Sequence, residues 1–292
     1  MTPFSAKSKP NALIGVGLRH SHYAQALSND PINQQIDFVE LHAENFFAAG
    51  GIARELLNDV SEKYHVSIHG TSLGLGSNMA VPAQTLEQFA QVVNASQAKW
   101  VSEHLCFNRA EVKGQTLHSG DLLPLAYNYE SLAILSNNIA QVQDKLKRPI
   151  LIENLSAYVE ASVLDHNQQD ELTEFEFLIA LCNKAGCGLL LDINNLIVNA
   201  LNQQQKDVAA HVYAKIETLP VNLVGEIHLA GFSNNKVNGF IVDDHANAVS
   251  EQCWTLYRKT KAKFGNVPTL VEWDNSLPTW EVLVDEAQKA RE

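Results

Sequence analysis

The feature of this sequence that most constrains the fold is a regular alternation of short apolar runs with longer stretches of helical spacing. Each run is rich in valine, isoleucine and leucine, and such alternation is typical of parallel strands joined by crossover helices. Eight runs are present, at residues 13–19, 38–44, 66–70, 100–107, 149–154, 188–195, 224–232 and 268–274. Helical spacing is found between them at residues 51–64, 85–98, 127–147, 171–185, 206–219 and 246–264.

Eight strand–helix units predict an α/β fold, specifically a (β/α)8 TIM barrel, because an open doubly wound sheet more often has about five to seven strands. The composition does not shift along the chain, and no linker rich in proline, glycine or serine interrupts it. We therefore expect a single TIM-barrel domain over residues 1–292. The two longest non-helical inserts, residues 108–124 and 233–244, are expected to be loops over the strand ends.

The net charge and the apolar runs limit the possible partners. A formal charge of −12 repels phosphate backbones and anionic membrane surfaces, so we expect neither nucleic acid nor a membrane as partner. There is no secretory signal and no run of 18 apolar residues, which predicts a cytoplasmic protein. The four cysteines form no Cys-x-x-Cys pair and are expected to be reduced core thiols.

Six of the eight predicted strands finish on a residue that can bind a metal ion. The carboxyl ends of barrel strands are where active sites lie, and strand alternation turns these side chains toward the barrel interior. We therefore expect them to converge on one space. The six residues are His69, His104, Glu153, Asp192, His228 and Glu272.

Further potential ligands follow two of these strands. Asp243 and His245 lie beyond the seventh strand, and Asn195 lies three residues beyond Asp192. The set is too large for one ion, and mixed nitrogen and oxygen ligation suits iron, manganese or zinc rather than calcium. A carboxylate such as Glu153 can bridge two ions, so the pattern predicts a multinuclear site.

The competing interpretation is that strand-end polar residues only form hydrogen bonds and ion pairs. An Arg19–Glu40 pair that closes the barrel interior, supported by His42 and Glu44, is its simplest form. Other residues near the rim are candidates for roles beside the ligands. The candidate catalytic residues are His118, Glu44 and Asn154, and the candidate substrate-binding or ligand-supporting residues are Arg19, Glu40, His42, Asn45 and Asp121.

Ten short motifs in one order give the sequence a family resemblance. They are GVGLRHSH, ELHAENFF, HGTSLGLGS, SEHLCF, HSGDLLPL, IENLS, DINNLIVNA, EIHLAGF, DDHANAV and VEWD. Over about residues 12–280 the chain resembles the multinuclear non-heme iron-dependent oxidative enzymes, the family that includes the iron subunit of methanobactin biosynthesis. The resemblance implies a xylose isomerase-like TIM barrel with two or three iron ions of mixed valence. It also implies an enzyme that uses dioxygen to modify cysteine residues of a ribosomally made peptide, with a small companion protein that recognises this precursor.

The same resemblance assigns ligands position by position. It implies that His69, His104 and Glu153 hold one ion, that Asp192, His228 and Glu272 join Glu153 around a second, and that Asp243 and His245 belong to a third. A more distant likeness is to trinuclear zinc endonucleases for abasic DNA. This chain departs from their pattern at Asn195, where a neutral amide replaces a histidine and is a weaker ligand.

Several alternatives remain open from the sequence. The same barrel can support a metal-dependent phosphodiesterase or endonuclease, a sugar isomerase, or a non-catalytic module that binds metal or peptide, and zinc or manganese can replace iron. The charge of −12 disfavours DNA, and no predicted strand ends on the lysine that aldose isomerisation would use. For a peptide substrate, the acidic rim and the inserts 108–124 and 233–244 are the expected contact surfaces.

Overall fold

The computed structural model describes residues 12–158, 172–234 and 239–292, and a closed barrel of eight parallel strands lies at its centre. The order around the barrel is β1, β12, β9, β8, β7, β4, β3 and β2, which closes onto β1, so the predicted (β/α)8 barrel is confirmed. The strands are β1 Ile14–Gly17, β2 Phe38–His42, β3 His65–Gly70, β4 Trp100–His104, β5 Phe107–Val112, β6 Gln115–Leu123, β7 Leu151–Glu153, β8 Gly188–Asp192, β9 Val224–Ala230, β10 Ser233–Asn234, β11 Ile241–Val242 and β12 Thr269–Glu272.

Helices surround the barrel and cover its outer face. They are α1 Tyr23–Leu27, α2 Ile52–Lys63, α3 Ala83–Ser96, α4 Tyr129–Leu146, α5 Glu174–Ala185, α6 Ile193–Asn202, α7 Val208–Thr218, α8 Glu251–Phe264 and α9 Trp280–Gln288. Short 3-10 turns lie at His20–His22, Pro31–Gln35, Ala43–Phe46 and Lys289–Arg291. All six predicted helical stretches are present, and α1, α6 and α9 were not predicted. Among the described residues no helix has both the length and the apolar character needed to cross a membrane.

Local sequence signals set the ends of several helices. Thr173 and Glu176 form a reciprocal capping box at the start of α5, and Gly186 ends that helix in a left-handed conformation. Asp192 caps α6 by accepting a hydrogen bond from the Asn195 N–H at 2.6 Å. The strand predicted to run through residue 195 therefore ends at Asp192, because the cap starts a helix there.

The register of the barrel brings the ends of the strands to one level. His42 is the partner of His69, His104 is the partner of Glu153, and Asp192 is the partner of His228. Partners in a parallel pair lie side by side on the same face of the sheet, so these side chains share one end of the barrel interior.

The opposite end of the interior is filled by aromatic side chains. Phe38 and Trp100 pack with ring centroids 5.0 Å apart. The Phe38 ring passes so close to Gly15 that a Cβ atom there would lie 2.6 Å from it, and only glycine leaves the space. The barrel is thus closed below, and the polar residues lie toward its other end.

Two antiparallel hairpins extend from the barrel where loops were predicted. Most of 108–124 belongs to β5 and β6, joined by a two-residue turn in which Lys113 and Gly114 both have positive φ, 53° and 75°. This combination favours a tight hairpin turn that matches the twist of the strands. Within 233–244, β10 pairs with β11, and residues 235–238 between them lie outside the described residues.

Candidate metal centre

His69, His104 and Glu153 bring three ligand atoms to one point. The Nε2 atoms of the two histidines are 3.4 Å apart, and Glu153 Oε2 lies 3.4 Å from the first and 3.5 Å from the second. Ligands about 2.0–2.1 Å from a tetrahedral ion are separated by about 3.3–3.4 Å. The three atoms therefore have the spacing of a first-row metal site, and we call these residues the imidazole group.

The outer nitrogens of this group are held by neighbouring strands. His69 Nδ1 is 2.7 Å from Ser102 Oγ, and His104 Nδ1 donates to the Gly70 carbonyl at 3.2 Å. Such bonds fix the ring orientation and leave Nε2 of His104 without a proton. Burial lowers the pKa of His104 to about 4 and that of His69 well below its usual value, so both rings are neutral at pH 7.

Glu153 also belongs to a second group, with Asp192 and His228, in which the potential ligand atoms all lie within 4.8 Å of one another. Asp192 uses Oδ1 to cap α6, which leaves Oδ2 directed at the group. Burial raises the pKa of Glu153 well above its usual value, and it raises that of Asp192 to about 7. One carboxylate thus lies between two sets of ligands.

A third group consists of Asp192, His245 and Glu272. His245 Nδ1 is 3.6 Å from Glu272 Oε2, and its Nε2 is 2.9 Å from Asp243 Oδ1. The His245 backbone has a φ of 47°, an uncommon conformation for this residue, and its carbonyl accepts the N–H groups of Asp274 and Asn275 at 2.9 and 3.2 Å. Backbone strain of this kind is maintained where surrounding contacts fix a functional side chain.

His228, His245 and Glu272 form what we call the carboxylate-rich side. Burial opposes protonation of both histidines, but the carboxylates around them outweigh it and hold both pKa values well above the usual range. Burial likewise opposes ionisation of Glu272, yet His245 and His228 keep its pKa well below its usual value. On this side His228 and His245 are positively charged and Glu272 is negatively charged, whereas the two histidines of the imidazole group are neutral.

The predicted Arg19–Glu40 ion pair is wrong. Arg19 Nε donates to Asp274 Oδ1 at 2.6 Å, and its Nη2 donates to Glu272 Oε1 and His42 Nε2, both at 3.0 Å. Arg19 follows the end of β1 and reaches across to the last residue of β12 and to Asp274 just beyond it, and β12 is the strand beside β1 in the closed barrel. It neutralises the carboxylate of Glu272, on the carboxylate-rich side, and that of Asp274 beside it.

Glu40 instead lies below the candidate ligands, in a fully buried layer with Ser67 and Glu226. Ser67 Oγ lies 3.1 Å from Glu40 Oε2 and 3.4 Å from Glu226 Oε2. Glu40 Oε2 is 3.4 Å from His228 Nε2, while His228 Nδ1 is 3.3 Å from Glu272 Oε2 on the cavity side. A carboxylate behind a ligating imidazole fixes its tautomer and orientation.

Buried polar atoms without partners test whether these residues fit a metal. In the described part of the chain, no partner in hydrogen-bond geometry is found for Glu153 Oε2, Asp192 Oδ2, Asn195 Oδ1 or either ring nitrogen of His228, where the nearby carboxylates make ion pairs instead. Leaving a buried polar atom unsatisfied is costly, and here five such atoms lie on four neighbouring candidate ligands. Other buried atoms without a partner, such as Arg109 Nε and Trp273 Nε1, lie outside this set and are not gathered at one point. The donor chemistry therefore fits bound metal ions.

The remaining predicted residues are distributed unevenly. Asn154 is fully buried and bonds the backbone N–H and carbonyl of Asp192, both at 2.9 Å, so it ties β7 to β8. Asn195 donates to the Asn154 carbonyl at 2.9 Å, and Glu44 accepts the Thr71 N–H at 2.8 Å. Asp121 lines the cavity described below.

Two of the predicted residues lie away from the centre. His118 is exposed on β6, where its Nδ1 accepts the Gly120 N–H at 3.0 Å, and Asn45 is exposed on the turn after β2. Neither lines the cavity, so the structure does not bring them to the candidate ligands.

Several residues of the site were missed from the sequence. Asp274 lies two residues beyond Glu272, and Ser102 lies two residues before His104, so strand alternation already placed both on the inner face. Ser156 and Asn194 hold Asp243 through hydrogen bonds of 2.9 and 2.7 Å to its two carboxylate oxygens. Ser156 lies in the segment after β7 and Asn194 lies in the first turn of α6, and no spacing in the sequence indicates their approach.

A cavity of about 450 Å³ opens over the candidate ligands. One wall is polar and carries His69, His104, Glu153, His245 and Glu272. Another part of the lining, which we call the apolar wall, comes from the β5–β6 hairpin and from the segments after β6 and β7. Its residues are Phe107, Leu122, Leu123, Pro124 and Leu155. A cavity of this size accepts a peptide side chain with part of its backbone.

Comparison with known proteins gives a match along nearly the whole chain. Residues 13–292 match the family model described as RiPP precursor modification enzyme MbnB/TglH/ChrH. A UPF0276 protein of Chromobacterium violaceum is 39% identical over 279 residues, which cover 96% of this chain and 94% of that protein. A UPF0276 protein of Rhizorhabdus wittichii is 39% identical over 282 residues, with coverage of 96% and 94%.

Solved structures are similar in fold. A xylose isomerase domain protein from Alicyclobacillus acidocaldarius has a TM-score of 0.58 at 12% identity, covering 96% of this chain and 95% of that one. Endonuclease IV from Thermus thermophilus has a TM-score of 0.57 at 14% identity, with coverage of 93% and 94%. At such identities the likeness concerns the fold alone, and it is that of a xylose isomerase-like TIM barrel.

Proposed function

This chain belongs to the MbnB/TglH/ChrH family of RiPP precursor modification enzymes, which act on precursors of ribosomally synthesised and post-translationally modified peptides, and we propose that it oxidises a cysteine of such a precursor with dioxygen. The proposal includes two to three iron ions as cofactor. It also includes a small companion protein that recognises the precursor.

The observation that carries this proposal is the position of Glu153 between two ligand groups. It faces His69 and His104 on one side and Asp192 and His228 on the other. A carboxylate shared in this way is the feature of a site for at least two ions rather than one. Mixed imidazole and carboxylate ligation is suited to iron.

We assign the ligands to three ions, of which the first two share Glu153. His69, His104 and Glu153 hold the first ion, and Asp192, His228 and Glu272 hold the second together with Glu153. Asp243 and His245 serve a third, and Asn195 offers only its amide oxygen at this rim. When bound, iron would supply the redox chemistry with dioxygen and would acidify a substrate thiol.

The chain's own residues have three tasks in this scheme. The apolar wall, with Leu122, Leu123 and Leu155, excludes water from the reacting cysteine and packs against the carbon beside its sulfur. Glu153 and Asp192, whose pKa values are raised by burial, give up protons when cations bind. Arg19 limits the negative charge by holding Glu272 and Asp274.

The companion protein follows from the nature of the substrate. A flexible peptide loses conformational freedom when it is ordered over the barrel mouth, and this loss weakens binding unless a leader segment is held elsewhere. We therefore expect efficient turnover to need both the companion and a cysteine-containing precursor.

Mass spectrometry of the peptide product tests the function directly. The iron-loaded chain, its neighbouring-gene companion and the precursor peptide encoded beside them are incubated with dioxygen, and a mass change located at a cysteine is expected. Equal turnover of glutathione by the isolated chain would contradict peptide specificity. Full activity with stoichiometric zinc would contradict the iron assignment.

A further inference from the structure

The hairpin of β5 and β6 has two outer edges. The edge of β5 is bonded to the rest of the protein, whereas the edge of β6 pairs with no other strand among the described residues. The two strands form a separate two-stranded sheet, and in the described part of the chain no third strand pairs with it. An unpaired edge offers backbone N–H and carbonyl groups to an extended peptide.

The register shows which backbone groups point outward. Val112 and Gln115 flank the two-residue turn, so they form the hydrogen-bonded pair that closes the hairpin. Pairs alternate, and the Glu111–Thr116 and Arg109–His118 pairs therefore turn their backbone groups away from the partner strand.

On β5, the hydrogen bonds of Arg109 confirm that its backbone N–H points away from β6. Arg109 donates its outward N–H to Ser77 Oγ at 3.1 Å, and the Arg109 side chain bonds the carbonyls of Ser72 and Gly74 at 3.2 and 3.4 Å. The edge of β5 is thus anchored to the segment after β3. The corresponding groups of Thr116 and His118 on β6 remain exposed.

The free edge leads into the cavity. Beyond His118 the strand bulges around Gly120, whose φ is 75°, and residues Asp121, Leu122 and Leu123 then line the cavity wall. The five steps along the chain from His118 to Leu123 span at most about 17 Å in extended form. A peptide paired at Thr116 and His118 would reach the candidate ligands within about five residues.

We propose that an extended segment of the precursor peptide pairs with the edge of β6 through the backbone of Thr116 and His118, with the reacting cysteine about five residues away. This inference rests on the proposed function and adds the surface on which the substrate is held. Val112 and Leu117, 45% and 52% exposed, lie on one face of the hairpin and offer apolar contact to alternate side chains of the segment. The acidic cavity rim disfavours an acidic segment there.

A pair of proline variants tests the edge. Thr116→Pro removes an outward N–H of β6 and obstructs pairing, whereas Glu111→Pro makes the same change directly opposite, on β5. Both substitutions fall in the same pair of the hairpin, so they differ in which edge loses its outward N–H, and circular dichroism of each variant checks that the fold is retained. The probe is a labelled synthetic copy of the precursor that the wild-type chain modifies.

We expect Thr116→Pro to raise the Kd and KM for this peptide at least tenfold with kcat little changed, and Glu111→Pro to change them less than threefold. Hydrogen exchange at Thr116 and His118 should slow when the peptide binds. Equal weakening by the two variants, or no slowing at these amides, overturns the inference. So does a Thr116→Pro effect confined to binding of the companion protein. If the wild-type chain modifies no precursor, the proposed function itself fails, which is a separate result.

Discussion

The imidazole group and the carboxylate-rich side of the site differ in the protonation of their histidines. His69 and His104 are buried beside each other, and burial lowers their pKa values and leaves the rings ready to bind a cation. His228 and His245 are also buried, but facing carboxylates raise their pKa values well above the usual range. Metal binding must displace protons from the second pair and not from the first.

The difference shows that one site can stabilise buried polar groups in two ways, by keeping them neutral or by pairing opposite charges. The imidazole group keeps its rings neutral and lets Ser102 and Gly70 orient them. The carboxylate-rich side balances charge with charge through Arg19, His228 and His245. Glu153 belongs to the imidazole group and also faces His228, so it connects the two.

The largest expected effect is that of Glu153→Gln. A neutral amide cannot bridge two cations, so we expect loss of at least one ion per chain and a metal affinity lowered more than about 100-fold. Elemental analysis after anaerobic loading measures this. The control is Glu286→Gln, which changes a buried carboxylate on α9 that accepts from Trp254 Nε1 at 3.3 Å and belongs neither to a candidate ligand group nor to the cavity lining. Equal metal content in the two variants would contradict a shared role for Glu153.

The second prediction concerns pH. Because His228 and His245 have raised pKa values, they are protonated in the metal-free protein at pH 7, and each must lose a proton to bind an ion. Affinity on the carboxylate-rich side should therefore rise with pH by up to about tenfold per pH unit for each proton released. The imidazole group should release at most the Glu153 proton. Calorimetry in buffers of different ionisation enthalpy counts these protons. Equal counts for the first and later ions would contradict the predicted difference in proton release between the imidazole group and the carboxylate-rich side.

The third prediction separates the residues that orient each set of rings. Glu40→Gln should weaken binding on the carboxylate-rich side by about tenfold or more, because Glu40 faces His228 Nε2, and it should leave the imidazole group unchanged. Ser102→Ala should have the opposite selectivity, since Ser102 contacts His69 Nδ1. Competition titrations of Co²⁺ followed by its absorption spectrum resolve the two sites. Loss of both sites in either variant would indicate general destabilisation instead.

The smallest expected effect is that of Asn195→Ala. The amide oxygen is a weak ligand, and Asn195 also donates to the Asn154 carbonyl, so we expect metal affinity to fall only about threefold. The ion content per chain should remain that of the unsubstituted protein. A loss as large as that of Glu153→Gln would show that Asn195 is a principal ligand of the third ion.

The sequence was sufficient to predict the barrel and the convergence of the strand-end residues, because both follow from local periodicity. It was not sufficient for contacts that exist only once the barrel closes. Arg19 was assigned to Glu40 on the neighbouring strand, yet it reaches Glu272 and Asp274 across the closing pair of β1 and β12. The hairpin was taken for a loop because Lys113, unlike asparagine or aspartate, gives little indication of a positive φ. The single-domain organisation over residues 1–292 and the ligand assignments stay predictions.

The measurement that tests the central claim most directly is the iron content of the anaerobically loaded chain, taken together with its Mössbauer spectrum in an applied field. A site organised around a shared Glu153 predicts two to three iron ions per chain, with at least two of them magnetically coupled. One iron ion per chain, or ions that show no coupling, would contradict it.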